Sequence, residues 1–201
     1  MKTFLICFGI CLLFSAVPVF IIEYMDLESR GPVSFTTIGF ILCTLLGPLQ
    51  CIGEEFLFRS LLPQTIVSWF RYPIIGIIIS TLAFMAVHPY NGIGKMEIVC
   101  TGAAMCVMAW IANGIEASSA IHITNNMTLF YMGGFGLKKM TSQAEIKSVI
   151  STAIIDLIYI AILLIIKKKT NLFDDVKKDD ITPFNDKYEK KHEEKQAKKL
   201  S

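Results

Sequence analysis

The sequence lacks the patterns that mark several common classes of protein. Its formal net charge of +2 is too small to indicate a nucleic-acid partner, and its basic residues are not interleaved with aromatic ones. Its six cysteines form no C-x-x-C pair, which argues against a zinc knuckle or a disulfide framework. Because nearly all of them lie in apolar runs, we interpret them as small buried hydrophobic residues.

Long apolar runs are present instead. The chain has 201 residues, of which 53% are hydrophobic, and its mean hydropathy is +0.55. A helix needs roughly 20 apolar residues to cross a bilayer core about 30 Å thick. The runs therefore predict an all-α polytopic membrane protein, a bundle of about six transmembrane helices surrounded by lipid. The predicted segments are 3–22, 33–52, 72–88, 96–112, 115–131 and 149–166.

The two ends of the chain differ in character. The first apolar run is longer than the hydrophobic region of a typical signal peptide and has no clear small-x-small cleavage site, so we expect a retained helix. Residues 1–32 are assigned to this helix and an acidic loop, and residues 132–168 to a second loop and the last transmembrane helix. Residues 169–201 alternate basic and acidic clusters with little to bury, so we expect a disordered tail.

The distribution of lysines indicates an orientation. Lys167, Lys168 and Lys169 form the strongest basic cluster beside any predicted helix. This favours an orientation in the plasma membrane that places the C-terminal tail in the cytoplasm. Six crossings would then place Lys2 on the same side. The basic loop around Lys138 would lie outside, against the rule.

The stretch "GEEFLFR", residues 53–59, places three charged residues directly after an apolar run. A charge at a helix centre costs roughly 2.5–3.5 kcal/mol on insertion, so such residues are usually functional or paired. Glu55 and Arg59 are about 40° apart around a helix and can pair, whereas Glu54 and Arg59 are about 140° apart. We therefore interpret Glu55 as the structural partner of Arg59 and leave Glu54 for another role. The alternative is a helix end at the membrane surface where both acids meet water.

Two further segments carry polar residues at helical spacing. Phe84 and His88 are in i,i+4 positions, so the phenyl ring can pack beside the imidazole, and Pro89 then ends the helix. His122 and Asn126 also share one helix face. Ordinary packing and interhelical hydrogen bonds remain alternative explanations for each pair. Together with the acid pair, however, these residues lie on three helices that can converge in a bundle.

The three patterns resemble the motifs of the CPBP intramembrane proteases. That family includes CAAX prenyl endopeptidases of the Ras-converting type and bacterial relatives linked to bacteriocin self-immunity. The resemblance covers residues 33–131, and it implies a catalytic membrane core with Glu54 and His88 as catalytic residues and His122 and Asn126 completing the site. It also favours a bacterial plasma membrane. The motifs are E-E-x-x-x-R from Glu54 to Arg59, F-x-x-x-H from Phe84 to His88, and H-x-x-x-N from His122 to Asn126.

Peptide hydrolysis requires an activated water, a stabilised oxyanion and a proton donor for the leaving amine. A carboxylate beside an apolar wall can act as a general base near neutral pH, and we assign that role to Glu54, with His88 helping to hold the water. His122 and Asn126 can donate hydrogen bonds to the oxyanion. Losing one such donor typically costs about 2.7–4 kcal/mol of transition-state stabilisation.

A metal is not required by this set of residues. Two histidines and one glutamate do match the ligands of many catalytic zinc sites, but the sequence contains no H-E-x-x-H motif. We therefore expect a metal-free glutamate protease. If zinc is used, as the metalloprotease label often given to the family suggests, its ligands would be Glu54, His88 and His122.

The expected partner is a membrane-associated peptide or protein, such as a prenylated peptide or the precursor of a pheromone or bacteriocin. Two other functions remain open from the sequence. The chain could be a non-catalytic bacteriocin-immunity or partner protein, or a divalent-cation transporter, although the paired inverted repeats expected of a transporter are not visible. Asp156 is an intramembrane acid without a motif, which either bonds across helices or lines a cavity.

Overall fold

The computed structural model is entirely helical over the residues it describes, and no strand occurs among them. The described residues are 1–26, 30–90, 92–139 and 145–173. The helices are α1 (Lys2–Met25), α2 (Thr37–Phe70), α3 (Pro73–Val87), α4 (Ile93–Ala112), α5 (Glu116–Gly134) and α6 (Ile146–Lys169).

The lengths and compositions of these helices fit a membrane protein. Among the described residues, α1, α2, α4 and α6 are long and apolar enough to cross a bilayer. Helix α3 is apolar but has 15 residues, and α5 has 19 residues with more polar side chains. The protein is therefore an integral membrane protein, and the prediction of an all-α helix bundle is confirmed.

Helix α5 lies at the centre of the bundle, which explains why it is less apolar than the others. It contacts α1, α2 and α4. Twelve of its residues are buried, among them Ser118, Ser119, His122 and Thr124. The surrounding helices direct large apolar side chains outward, as lipid requires. Polar side chains can thus concentrate on α5 because its neighbours shield them from lipid.

The first and last helices meet at one end of the bundle. The Thr3 hydroxyl donates to the Leu172 carbonyl at 3.4 Å, and Lys167 Nζ donates to the Ile111 carbonyl at 2.8 Å. At the opposite end, Gly31 N donates to the Gly136 carbonyl at 3.0 Å, so α2 begins beside the end of α5. Successive helices therefore run in alternating directions.

Helix α2 is longer than its predicted segment. We expected an apolar helix over 33–52 that runs into the acid pair, but the helix continues through it to Phe70. Residues Phe56–Leu61 form a π-helical turn within it. The helix continues because the charges are neutralised inside the bundle, so the chain need not leave the membrane at Glu54. The other five predicted segments overlap the observed helices within a few residues.

The π-helical turns are associated with prolines inside apolar runs. A second π-helical turn, Leu12–Ala16, lies in α1, and each turn ends two residues before a proline, Pro18 or Pro63. Proline lacks the N–H that continues the α-helical ladder, so the hydrogen bonding changes locally. The prolines were thus the sequence signal for these irregular turns.

The chain beyond α6 packs back against the bundle before the charged tail begins. Phe173 is only 3% exposed and joins the hydrophobic core, and its carbonyl accepts a hydrogen bond from Asn113 Nδ2 at 3.2 Å. The predicted disorder from residue 169 onward therefore does not describe residues 170–173, because an aromatic ring there finds a buried site. The predicted disordered segment 174–201 lies outside the described residues.

Candidate active site

Arg59 is buried on α2 beside the Glu55 carboxylate. Arg59 Nη1 lies 3.3 Å from Glu55 Oε1, and Glu55 is fully buried. The guanidinium also stacks on the Phe84 ring, 3.8 Å from its centroid, and Nη2 lies 3.3 Å from Met105 Sδ. An aromatic face and a soft sulfur thus surround the buried cation, while the carboxylate neutralises its charge.

The Glu55 carboxylate also contacts His122, which the sequence did not indicate. His122 Nδ1 lies 2.8 Å from Glu55 Oε1. Because an ionised carboxylate can only accept a hydrogen bond, Nδ1 carries the proton. His122 Nε2 then points to Glu54, at 3.6 Å from Oε2. Glu55 therefore fixes the orientation of the imidazole and presents Nε2 to the second acid.

Glu54 is the acid of the pair that reaches solvent. Its side chain is 22% exposed, whereas Glu55 is closed off completely. Glu54 Oε1 accepts a hydrogen bond from Gln50 Nε2 at 3.0 Å, and Oε2 has no hydrogen-bond partner within the described part of the chain. Sequence reasoning missed Gln50, although its i,i+4 spacing to Glu54 was visible. One carboxylate oxygen is thus held and the other is left for a water or substrate group.

His88 lies at the end of α3 and meets the site through an aromatic ring. Its Nδ1 lies 2.7 Å from the Phe84 carbonyl oxygen, so Nδ1–H donates to it and Nε2 is the nitrogen left to hold a ligand. The Phe84 ring contacts both imidazoles, with centroid distances of 4.4 Å to His88 and 6.0 Å to His122. Among the described residues, no hydrogen bond or ion pair joins His88 to Glu54 or His122.

Asn126 lies one turn after His122 on α5, beside α2. Its Nδ2 is 3.5 Å from Cys51 Sγ, a weak acceptor. The neighbouring amide, Asn125, faces the other way and accepts a hydrogen bond from Ser15 on α1 at 3.1 Å. The two adjacent amides therefore differ: Asn125 is engaged between helices, and Asn126 retains a donor that a stronger acceptor can take.

Glu54, His88 and His122, the proposed zinc ligands, do not form a metal site in this structure. No three His, Cys, Asp or Glu side chains in the described ranges are grouped so that they could hold a metal ion. Glu54 and His122 are close, at 3.6 Å, but His88 is not joined to them. These residues as arranged do not fit zinc, so no step is derived through a metal.

Comparison with known proteins agrees with the motifs. Residues 34–128 match the family described as "Type II CAAX prenyl endopeptidase Rce1-like". The match includes all of the residues assigned to the site. No curated protein and no solved structure shows a significant match to the chain.

The family is one of proteases, which supports peptide hydrolysis in general for this part of the chain. The resemblance predicted from three short motifs is therefore confirmed over residues 34–128, which are similar to the Rce1-like family of type II CAAX prenyl endopeptidases.

Proposed function

We propose that the protein is an intramembrane endopeptidase that hydrolyses a peptide bond in a membrane-associated substrate, with Glu54 as the general base. The main support is the pairing of Glu54 with His122. The carboxylate has one oxygen held by Gln50 and the other unpartnered among the described residues, 3.6 Å from an imidazole nitrogen that Glu55 orients.

The reaction starts with a water beside Glu54 and His122. The distance of 3.6 Å between Oε2 and Nε2 is too long for a direct hydrogen bond and too short for a water in line, so the water lies to one side, within reach of both atoms. Glu54 takes a proton from this water as its oxygen attacks the scissile carbonyl carbon. His88, entering from the end of α3, helps to hold the water through Nε2.

The tetrahedral oxyanion is then stabilised by α5. Asn126 donates through Nδ2, and His122 donates through Nε2 when the imidazole is protonated. Because His122 Nδ1 is committed to Glu55, only the imidazolium can donate from Nε2. Glu54 finally passes the proton to the leaving amine as the carbon–nitrogen bond breaks, which restores the carboxylate.

The substrate must expose a backbone amide at the site. Intact membrane helices shield their amides, so we expect an unwound or C-terminal segment near the membrane surface. The Glu54 side chain is 22% exposed, whereas its Oε2 is buried, so the substrate must open the site to reach that oxygen. The match to CAAX prenyl endopeptidases makes a prenylated peptide a candidate, alongside a peptide precursor.

A comparison of peptide termini tests this proposal. Membranes from cells that express wild-type protein or Glu54→Gln at equal levels would be analysed by mass spectrometry, with Glu145→Gln as a matched control. Glu145 is exposed at the start of α6 and its side chain caps no backbone group. New termini should occur with wild type and the control but not with Glu54→Gln. Identical termini in all three samples, with the protein folded and abundant, would refute proteolysis.

The same variant separates the other functions considered. A non-catalytic immunity protein would protect cells equally well with Glu54→Gln. A cation transporter would lose ion flux with this variant without any change in peptide termini.

A further inference from the structure

A row of polar side chains lies between α4 and α6, away from the candidate active site. Ser148, Thr152 and Asp156 follow one another at i,i+4 spacing along one face of α6. Glu97 and Thr101, also at i,i+4, face them from α4. The row begins near the first turns of both helices and continues to the middle of α6. Its spacing was visible in the sequence, but the pairing of the two helices was not.

The outer end of the row has a satisfied carboxylate. Ser148 Oγ lies 2.9 Å from both carboxylate oxygens of Glu97, and Thr152 Oγ lies 2.9 Å from Oε1. Two hydroxyls from α6 therefore position an acid of α4, which faces into the interface.

The inner end of the row has an unsatisfied carboxylate. Asp156 is 2% exposed, and neither of its oxygens has a hydrogen-bond partner among the residues that the structure describes. Thr101 is its neighbour on α4, but the Thr101 hydroxyl is also unpartnered within that set. No lysine or arginine forms an ion pair with it in the described ranges. A bare buried carboxylate is costly, so Asp156 must bind either a proton or a cation.

The oxygen atoms of the row define the chemistry of that group. Glu97 and Asp156 supply two carboxylates, and Thr152 and Thr101, which lie between them along the row, supply two hydroxyls, giving up to six oxygen donors. Ser148 lies about 12 Å along α6 from Asp156, so its hydroxyl positions Glu97 and does not contact the same ion. Hard cations prefer such donors, and Ca²⁺ takes 6–8 of them in flexible geometry. A divalent ion would also neutralise both carboxylates in a low-dielectric interior, whereas a monovalent ion would leave one negative charge.

We propose that this row, hereafter the α4–α6 site, binds one hard divalent cation of the Ca²⁺ class between Glu97 and Asp156. Cation binding requires the hydroxyls to rotate so that their lone pairs face the ion. The bound ion links α4 to α6 and thereby stabilises the bundle. This inference does not depend on proteolysis, because none of these five residues contacts Glu54, Glu55 or His122 through a hydrogen bond or ion pair in the described part of the chain.

Thermal unfolding of the purified full-length protein tests the proposal. The protein, freed of divalent ions with EDTA, would be titrated with Ca²⁺ in nanodiscs, with NaCl and choline chloride at matched ionic strength as controls. Fluorescence of Trp69 and Trp110 would report unfolding. At a Ca²⁺ concentration about 100 times Kd, the Tm of the wild type should rise by about 5–10 °C. Glu54→Gln should show the same rise, and Asp156→Asn should lose it.

The comparison between variants controls for binding elsewhere. The tail contains acidic pairs, Asp174–Asp175 and Asp179–Asp180, whose response to Ca²⁺ would occur equally in wild type and Asp156→Asn. Only the difference in Ca²⁺-dependent Tm shift between wild type and Asp156→Asn therefore measures binding at the α4–α6 site. Thr152→Val removes one oxygen at almost constant volume and should weaken the Ca²⁺ response several-fold without removing a charge.

Three results would overturn the proposal. One is a folded wild type whose Tm does not respond to Ca²⁺, and the second is an equal response in wild type and Asp156→Asn. The third is a Na⁺ response as large as that to Ca²⁺, which would reject a divalent ion. In the first two cases the row would be an interhelical polar contact only.

Discussion

Glu55 and Asp156 are both carboxylates buried in membrane-spanning helices, but their surroundings differ. Glu55 contacts Arg59 at 3.3 Å and His122 at 2.8 Å, so two cationic or proton-donating groups balance it. Asp156 has a hydroxyl and a second acid as its polar neighbours and no hydrogen bond within the described ranges. A buried acid with its own counter-charge can organise a reaction site, whereas one without a counter-charge must take up a proton or a cation.

The largest contrast is expected in catalysis. Glu54→Gln removes the general base of the site that Glu55 supports, and hydrolysis should fall about 10²–10⁴-fold. Asp156→Asn should keep a rate close to that of the wild type, because the α4–α6 site does not touch the reacting groups. Rates on a peptide identified from the membrane experiment would be compared at equal protein concentration. A similar loss in both variants would remove the distinction between the two regions.

The second contrast concerns stability. Arg59→Met leaves Glu55 buried without its counter-charge and should destabilise the protein by about 3–5 kcal/mol. Asp156→Asn removes an uncompensated charge, so in EDTA it should leave stability unchanged or increase it. Unfolding in detergent would be compared with that of Lys95→Met, a control at an exposed position of α4.

A double variant sharpens this result. Adding Glu55→Gln to Arg59→Met removes the acid left unpaired, so the pair should cost less than the sum of the single changes. Strict additivity, or an Asp156→Asn variant as unstable as Arg59→Met, would contradict the assigned difference between the two acids.

A smaller effect is expected at the two adjacent amides of α5. Asn126→Ala removes the proposed oxyanion donor and should lower kcat about 10²–10³-fold with little change in KM. Asn125→Ala should leave kcat near that of the wild type, because this amide bonds to Ser15 instead. Steady-state kinetics of the two variants provide the comparison, and equal kcat values would reject the oxyanion role of Asn126.

The smallest effect is expected where α1 meets α5. Ser15→Ala removes the 3.1 Å hydrogen bond to Asn125 and should cost about 0.5–1.5 kcal/mol of stability with no loss of hydrolysis. Ser151→Ala, at an exposed position of α6, should cost nothing measurable. A change in hydrolysis with Ser15→Ala would mean that α1 takes part in positioning the active site.

Much of the fold was predictable because a bilayer imposes a length and a composition on each helix. Six apolar segments were found at nearly their observed positions, and the Glu55–Arg59 pair was visible from its spacing. The apolar segment 33–52 covers only the first half of α2, because hydropathy falls at the charged stretch, whose neutralising partners come partly from a distant helix. The π-helical turn of α2 was missed because its signal, Pro63, lies beyond the turn itself.

The sequence by itself determined the helical membrane class and the residues that carry the family motifs. Those follow from hydropathy, periodicity and short spacing, which are local properties of the chain. Only the tertiary structure decided that His122 lies between Glu54 and Glu55, that His88 meets the site through Phe84, and that Asp156 lacks a counter-charge. Each of these depends on which helices pack side by side, and that packing arises from contacts between residues far apart in the chain.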